Sequence, residues 1–173
     1  MRFSLKNLNF IQIPVSMNDN PADQENGSLS IELNEETIKE LWSKTYNTEG
    51  KPDWSHILPY YDDNILFRDS IQQLQGMEAF SAMTKRLTDR SNDLKMHIVR
   101  TAQTGKDIFI EWEMTIKYKR NPSSVLYGAS RVTLNEAGRI IEQRDYYDLW
   151  GDSLDAIPVM GKMYRWFMQT VLG

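Results

Sequence analysis

Apolar and polar residues alternate along the stretch that ends at Lys119: Ile108, Ile110, Trp112, Met114, Ile116 and Tyr118 fall on one side, Glu111, Glu113, Thr115, Lys117 and Lys119 on the other. Successive side chains of an extended chain point to opposite faces, so the pattern predicts a strand over residues 107–119 with one buried and one solvated face. Turn formers bracket it. Gln103-Thr104-Gly105-Lys106 separates it from a strand over 94–101, and Asn121-Pro122-Ser123 from a strand over 124–134. Asn135-Glu136-Ala137-Gly138 then opens a last strand over 139–150.

Upstream of residue 94 the period is helical. Ile38, Leu41, Trp42 and Thr45 mark one face of a first helix, with Asn34 and Thr37 three residues apart at its start and Glu35 and Glu36 in its first turn. The turn at 48–53 stops it. Trp54, Ile57, Leu58 and Tyr61 predict a short second helix, which Asp62-Asp63-Asn64 ends before a strand over 65–70. A third helix after Gln75-Gly76 turns Phe80, Met83, Thr84 and Leu87 inward. The tail, 152–173, is again helical: Ile157, Met160, Gly161, Tyr164, Phe167, Met168 and Val171 lie on one side, opposite Lys162, Arg165 and Gln169. That amphipathic face is expected to pack on the domain or on a second subunit.

Helices followed by a run of antiparallel strands is an α+β pattern in which helices cover one face of a sheet. With 173 residues, 40% of them hydrophobic, the chain is expected to form one domain over 34–151. Residues 1–33, polar and rich in turn formers from Met17 to Ser30, are expected to be a flexible lead-in. The apolar run near residue 10 is short and interrupted by Gln12 and Pro14, which argues against an export signal, and no stretch is long enough to span a bilayer. The expected location is therefore cytoplasmic. Met17 is an alternative start, which an intact mass including residues 1–16 excludes.

A net charge of −4 leaves no basic excess to neutralise a phosphate backbone, so no nucleic-acid partner is expected. The absence of cysteine removes disulfides, thiolate metal sites and a thiol nucleophile together. His56 and His97 match no metal spacing, so neither metal nor cofactor is expected. What chemistry remains gathers on the last strand, where Ile141, Gln143, Asp145, Tyr147 and Leu149 share one face and Arg144, Tyr146 and Asp148 the other. Asp145 would be a carboxylate in an apolar site. Such groups are costly to bury charged; they are kept for chemistry or tied down by hydrogen bonds. The structural alternative is that Asp145 caps local backbone donors or pairs with Arg100, Arg131 or Arg144.

Three stretches then carry a resemblance: Tyr60-Tyr61-Asp62-Asp63-Asn64-Ile65-Leu66-Phe67-Arg68-Asp69, Gln75-Gly76-Met77-Glu78-Ala79-Phe80, and Glu136 to Ile140 running into Arg144-Asp145-Tyr146-Tyr147-Asp148. In order and spacing they resemble the nuclear transport factor 2-like, or SnoaL-like, superfamily, over roughly residues 35–151. The resemblance implies a cone-shaped, cystatin-like domain: a strongly curved, mainly antiparallel sheet covered by helices around an apolar pocket. It also implies a homodimer formed through the outer sheet face.

Residue by residue, the resemblance to steroid isomerases of this fold places a general-base Asp at Asp69, on the strand face of Ile65 and Phe67. Ser130 matches their second acid, a hydrogen-bond donor to the developing oxyanion, and Tyr46 or Tyr147 stands in for their tyrosine donor. The run Gln143-Arg144-Asp145-Tyr146-Tyr147-Asp148 is similar to the last strand of limonene-epoxide hydrolases, with Asp145 in the catalytic place. Trp112 and Met114 fall where those enzymes carry an Arg and an Asp, and Phe67 and Asp69 where they carry a Tyr and an Asn. These departures lead away from both strict steroid isomerisation and epoxide hydrolysis. The resulting expectation is a pocket for a small apolar molecule lined by Trp42, Phe67, Trp112, Met114 and Ser130, with Asp69, Asp145 and Tyr147 as catalytic residues. Asp69 is the base and Asp145 or Tyr147 the acid in isomerase or lyase chemistry on an apolar carbonyl or polyketide-like compound. The structural alternative for Asp69 is that it caps the following turn. The alternative function is a non-catalytic small-ligand-binding or dimeric interaction module.

Overall fold

Asn34 begins the first helix, α1 (Glu35–Tyr46), through a reciprocal cap: its side-chain oxygen accepts from the backbone of Glu36 at 2.9 Å and Thr37 at 3.0 Å, and the Thr37 hydroxyl accepts from the Asn34 backbone at 2.9 Å. The computed structural model describes residues 31–119, 123–154 and 158–172. Of the lead-in expected over residues 1–33, residues 1–30 lie outside the described residues, as does most of the Asn121-Pro122-Ser123 turn; Leu33 is buried in the core. Ile38, Leu41, Trp42 and Thr45 are all buried on the inner side of α1, as their spacing predicts.

The expected second helix is two 3-10 turns, Trp54–His56 and Leu58–Tyr60, the second carrying Pro59 near its start. Tyr61 belongs instead to β1 (Tyr61–Arg68), which starts four residues earlier than the strand expected from 65. A partner explains the difference: β1 runs parallel to β6 (Ile140–Tyr147), and Tyr61 lies in register with Ile140. A three-residue strand, β2 (Gln73–Gln75), folds back on β1 and has no apolar pattern to announce it. α2 (Met77–Arg90) buries Phe80 and Thr84, with Met83 and Leu87 packed against the core.

β3 (Ser91–Thr104), β4 (Asp107–Tyr118) and β5 (Ser124–Leu134) complete a six-stranded sheet of order β2-β1-β6-β5-β4-β3, antiparallel except where β1 meets β6. On β4 the alternation is realised: Ile108, Ile110, Trp112 and Ile116 are buried, while Glu111, Glu113 and Lys117 are exposed. The concave face, with α1 and α2 laid over it, holds the core.

The last strand departs from the expected alternation in one place. Ile140 is fully buried and Ile141 is 37% exposed, although Ile141 was expected to share the inner face of Gln143 and Asp145. A bulge is the reason: Thr133 pairs with Glu142 and Leu134 with Ile140, so Ile141 is the extra residue. β6 ends at Tyr147, and residues 149–150, expected in the strand, begin a wide helical turn, Leu149–Leu154. The tail helix, α3 (Pro158–Phe167), continues into a second wide turn, Met168–Leu172. Of its expected packing face, Phe167, Met168 and Val171 are exposed; the side chains of Ile157 and Met160 lie outside the described residues.

Candidate functional site

The concave face of the sheet and the inner sides of α1 and α2 enclose a cavity of about 440 Å³. Every residue expected at the site, Trp42, Phe67, Asp69, Trp112, Met114, Ser130, Asp145 and Tyr147, lines it. The apolar walls come from core residues: Trp42, Phe67 and Trp112 are each 3% exposed.

β4, β5 and β6 set three of these side chains in a row. Ser130 faces Asp145 across the β5–β6 pair and lies beside Ile110 across the β4–β5 pair. Trp112, one inward position further along β4, is opposite Gly128, where an added Cβ would come within 2.5 Å of the indole. Because residue 128 has no side chain, the Trp112 ring lies across β5, and its Nε1 donates to the Ser130 hydroxyl at 2.9 Å. Ser130 donates in turn to Asp145 Oδ1 at 2.6 Å.

A second chain of donors reaches the same oxygen from β1. The Tyr61 hydroxyl donates to Gln143 Oε1 at 2.5 Å, and Gln143 Nε2 donates to Asp145 Oδ1 at 2.9 Å. Both relays point their protons at one carboxylate atom, so the arrangement is built for an ionised Asp145. Burial works against it. Removal from water pushes the Asp145 carboxyl up to about 6; the bonds from Ser130 and Gln143 oppose that rise, and the charge of Asp69 adds to it.

The expected alternative pairings of Asp145 are not formed. Arg100 binds Glu111 at 2.6 Å, Arg131 binds Glu142, and the Arg144 guanidinium sits 4.8 Å from the centre of the Tyr146 ring. Asp145 therefore holds its charge against neutral donors.

Asp69 lies one residue beyond the end of β1, so it is not the strand residue that its alternation with Ile65 and Phe67 predicts. Its Oδ1 accepts from the backbone of Ile71 and Gln72, each at 2.8 Å, capping the turn into β2. It lines the cavity as well, near enough to Tyr147 for its charge to act on that hydroxyl. The Tyr147 hydroxyl is held above its ordinary range by burial first, then by the charges of Asp69 and Asp145. Tyr46 and Tyr61 are also pushed up, chiefly by burial. Ser130, matched in sequence to an oxyanion donor, directs its hydroxyl proton to Asp145.

Sequence reasoning assigned no role to Tyr61, Gln143 or Gly128. A glutamine on the apolar face of a strand was the available signal for Gln143, which is 5% exposed. Tyr61 was read as a helix residue, and the use of Gly128 depends on the ring opposite. Among the described residues, no group of three or more His, Cys, Asp or Glu side chains could hold a metal ion, and no helix is long and apolar enough to cross a membrane. His56 sits 3.5 Å from Asp53, and His97 is exposed.

Chemically, the cavity offers a carboxylate poised near neutrality, a tyrosine that stays protonated, and apolar walls for a ring-sized body. Residues 42–143 match the family model of the SnoaL-like domain. Among solved structures, one of a protein with a ketosteroid isomerase-like fold from Catenulispora acidiphila, in complex with trimethylamine, is similar at 16% identity and a TM-score of 0.57, covering 72% of this chain and 92% of that one. An LEH-like epoxide hydrolase from M. tuberculosis is similar at 14% identity and a TM-score of 0.56, covering 75% and 91%. An NTF2-like protein of unknown function from Exiguobacterium sp. 255-15 is similar at 17% identity and a TM-score of 0.54, covering 65% and 96%. At these identities the likeness concerns the fold alone. No curated protein matches the chain in sequence.

Proposed function

The chain belongs to the SnoaL-like domain family, and from that premise we propose that it moves a proton on a small apolar carbonyl compound bound in the cavity, as an isomerase or lyase of the ketosteroid isomerase-like type. The observation that carries this reading is Asp145: a carboxylate at about 6, lining an apolar cavity, held by two neutral donors on one oxygen and paired with no arginine. A base is most effective when its pKa lies near the working pH.

In this reading Asp145 is the base and Tyr147 the acid, which reverses the part first expected of Asp69. Asp145 takes a proton from the carbon beside the carbonyl, and the C–H electrons move onto the carbonyl oxygen. The Tyr147 hydroxyl donates to that oxygen and stabilises the enolate. Asp145 then returns the proton at another carbon of the conjugated system, so the net change is an isomerisation that needs no oxidant or reductant. Ser130 and Gln143 position the base; Trp42, Phe67, Trp112 and Met114 seat the apolar body.

A reading from another class, a non-catalytic ligand-binding module, draws on Ser130 and Asp69, whose hydrogen bonds lie within the protein. Proton exchange separates the two. Steroid enones, lactones and aromatic polyketide-like ketones are incubated with protein in D2O, and loss of the α-proton NMR signal is followed for wild type and Asp145→Asn. Exchange by wild type that the variant loses while it still binds supports the catalytic reading. Binding to both without exchange makes the protein a binder, and binding to neither removes the small-molecule role.

We propose a homodimer through the outer sheet face, where Phe109, Val125, Tyr127, Ile141 and Tyr146 are 37–57% exposed. Light scattering of the purified chain tests it; a monomer mass at micromolar concentration excludes it. The cytoplasm is the proposed location, on the short and interrupted apolar run near residue 10, and cell fractionation tests that.

A further inference from the structure

α2 presents Met83, Arg86, Leu87 and Arg90 to the cavity, a spacing of three, four and seven residues that places them along one side of the helix. Met83 and Leu87 are half-buried wall, whereas Arg86 and Arg90 are exposed. Ile71, on the turn capped by Asp69, is 66% exposed and lines the cavity too. These solvent-reached lining residues mark the mouth.

The two arginines differ from the rest of their kind. Arg68 donates to Gln73, Arg100 pairs with Glu111, Arg131 with Glu142, Arg139 donates to the Pro59 carbonyl, and Arg144 stacks on Tyr146. Arg165 has a partner as well. Among the described residues, Arg86 and Arg90 alone of the arginines have a guanidinium with no ion pair, hydrogen bond or ring contact. An acid stands within reach along the helix, three residues after Arg86, yet Asp89 binds Lys85 at 2.7 Å and approaches Lys51 at 3.8 Å. So the only described arginines without a partner are the two that line the mouth of an apolar cavity.

We propose that the ligand of this cavity is an organic acid: an apolar body seated against Phe67, Trp112 and Met114, with a carboxylate held at the mouth between Arg86 and Arg90. The inference rests on the reading of the cavity as a ligand site and names the class of that ligand. A guanidinium presents two parallel donors that match the two oxygens of a carboxylate, and two guanidiniums one helical turn apart can share one. A single negative charge suits the site better than a phosphate, because Asp69 and Asp145 line the same cavity and repel a dianion more strongly. The acid also tethers the carbonyl body so that its reacting carbon meets Asp145 in one orientation.

The test compares 2-naphthylacetic acid, its methyl ester and 2-naphthyl phosphate by fluorescence titration against the full chain. The acid is expected to bind wild type about tenfold tighter than the ester at low salt, with the ratio falling as salt rises because both arginines are exposed. Arg86→Ala/Arg90→Ala is expected to bring the ratio near one and leave the ester's affinity unchanged, while Arg86→Lys/Arg90→Lys keeps part of the preference. A ratio near one in wild type overturns the proposal, as does a ratio that survives the double alanine variant, or naphthyl phosphate binding tighter than the acid. Absence of binding by all three probes to protein with native circular dichroism also overturns it. Because the readout needs no turnover, failure here is distinct from failure of the catalytic reading. Acid-selective binding without proton exchange sinks catalysis alone, and exchange on neutral ketones without acid preference sinks this inference alone.

Discussion

Glu142 and Asp145 stand three residues apart on β6 and lead opposite electrostatic lives. Glu142 is on the side of the strand where Arg131 meets it, half in water, as Glu111 meets Arg100 on β4. Asp145 looks into the cavity and is held by a serine and a glutamine amide, neither of which can cancel its charge. Glu142 and Glu111 are thus neutralised by arginines that remain hydrated, and Asp145 on the concave face is hydrogen-bonded but uncompensated. A hydrogen-bonded carboxylate is easy to hold in place; a carboxylate without a counter-charge is easy to protonate. The concave face combines both properties in one residue, and that is what a proton-transfer site requires.

Replacing the concave carboxylate is the strongest way to break this contrast. Asp145→Asn is expected to lower proton exchange on a bound ketone by about 10²–10⁴-fold while binding persists, read by NMR in D2O. The same variant reports on stability. The Asp145 carboxyl titrates at about 6 in the fold against an ordinary 3.8. The fold therefore favours its protonated form, and the associated stability is present below about pH 4 and lost as pH rises through 6. Asp145→Asn does not suffer that loss. It should match wild type near pH 4 and exceed it by up to about 3 kcal/mol at pH 8 in urea unfolding, since one unit is worth about 1.4 kcal/mol.

Gly128→Ala attacks the geometry behind the contrast. Its methyl would meet the Trp112 ring and also the Tyr146 carbonyl at 2.8 Å, and the displaced indole would leave Ser130. A cost of about 1–3 kcal/mol is expected from overpacking, read as a fall in Tm. Ser130→Ala removes one of the two donors to Asp145 and the acceptor of Trp112 Nε1. It should cost about 1–2 kcal/mol and move the acidic limb of the pH–rate profile upward, because a donor to the ionised form is gone. Glu142→Gln is the control on the convex face. A partly exposed pair of this kind is worth at most about 1 kcal/mol, so stability should change little and activity not at all. A large loss of activity in Glu142→Gln would erase the distinction between the faces.

Much of this arrangement could be read from the chain. The alternation on β4 was legible because one face packs a core and the other meets water, and a period of two survives when both conditions hold. The cap on α1 was legible because Asn34 and Thr37 act within one turn. Elements defined by distant partners were not. β1 extends back to Tyr61 only because β6 lies beside it, and β2 is a three-residue edge strand in which Leu74, packed against the core, is the one apolar residue and too little to make a pattern. The bulge at Ile141 defeats alternation by one residue, yet Gln143 and Asp145 beyond it still line the cavity as expected. At the site, the charged residues and Ser130 could be singled out, but Tyr61, Gln143 and Gly128 could not. A tyrosine, a glutamine and a glycine acquire their roles from side chains on other strands. Asp69 shows the limit from the other side: its pattern placed it on a strand, and the turn that follows claimed one of its oxygens.

The bond between Tyr61 and Gln143 joins residues separated by 82 positions, and the strands that carry them are the parallel pair of the sheet. β3, β4, β5 and β6 can zip together as successive antiparallel neighbours, each closing only a short loop. β1 joins them by closing one of about eighty residues, an entropic cost that grows with the logarithm of loop length. Distant contacts of this kind slow folding. During synthesis, the relay from Tyr61 cannot reach Asp145 until β6 has emerged, so the catalytic carboxylate gains its second donor only with one of the last contacts the chain makes.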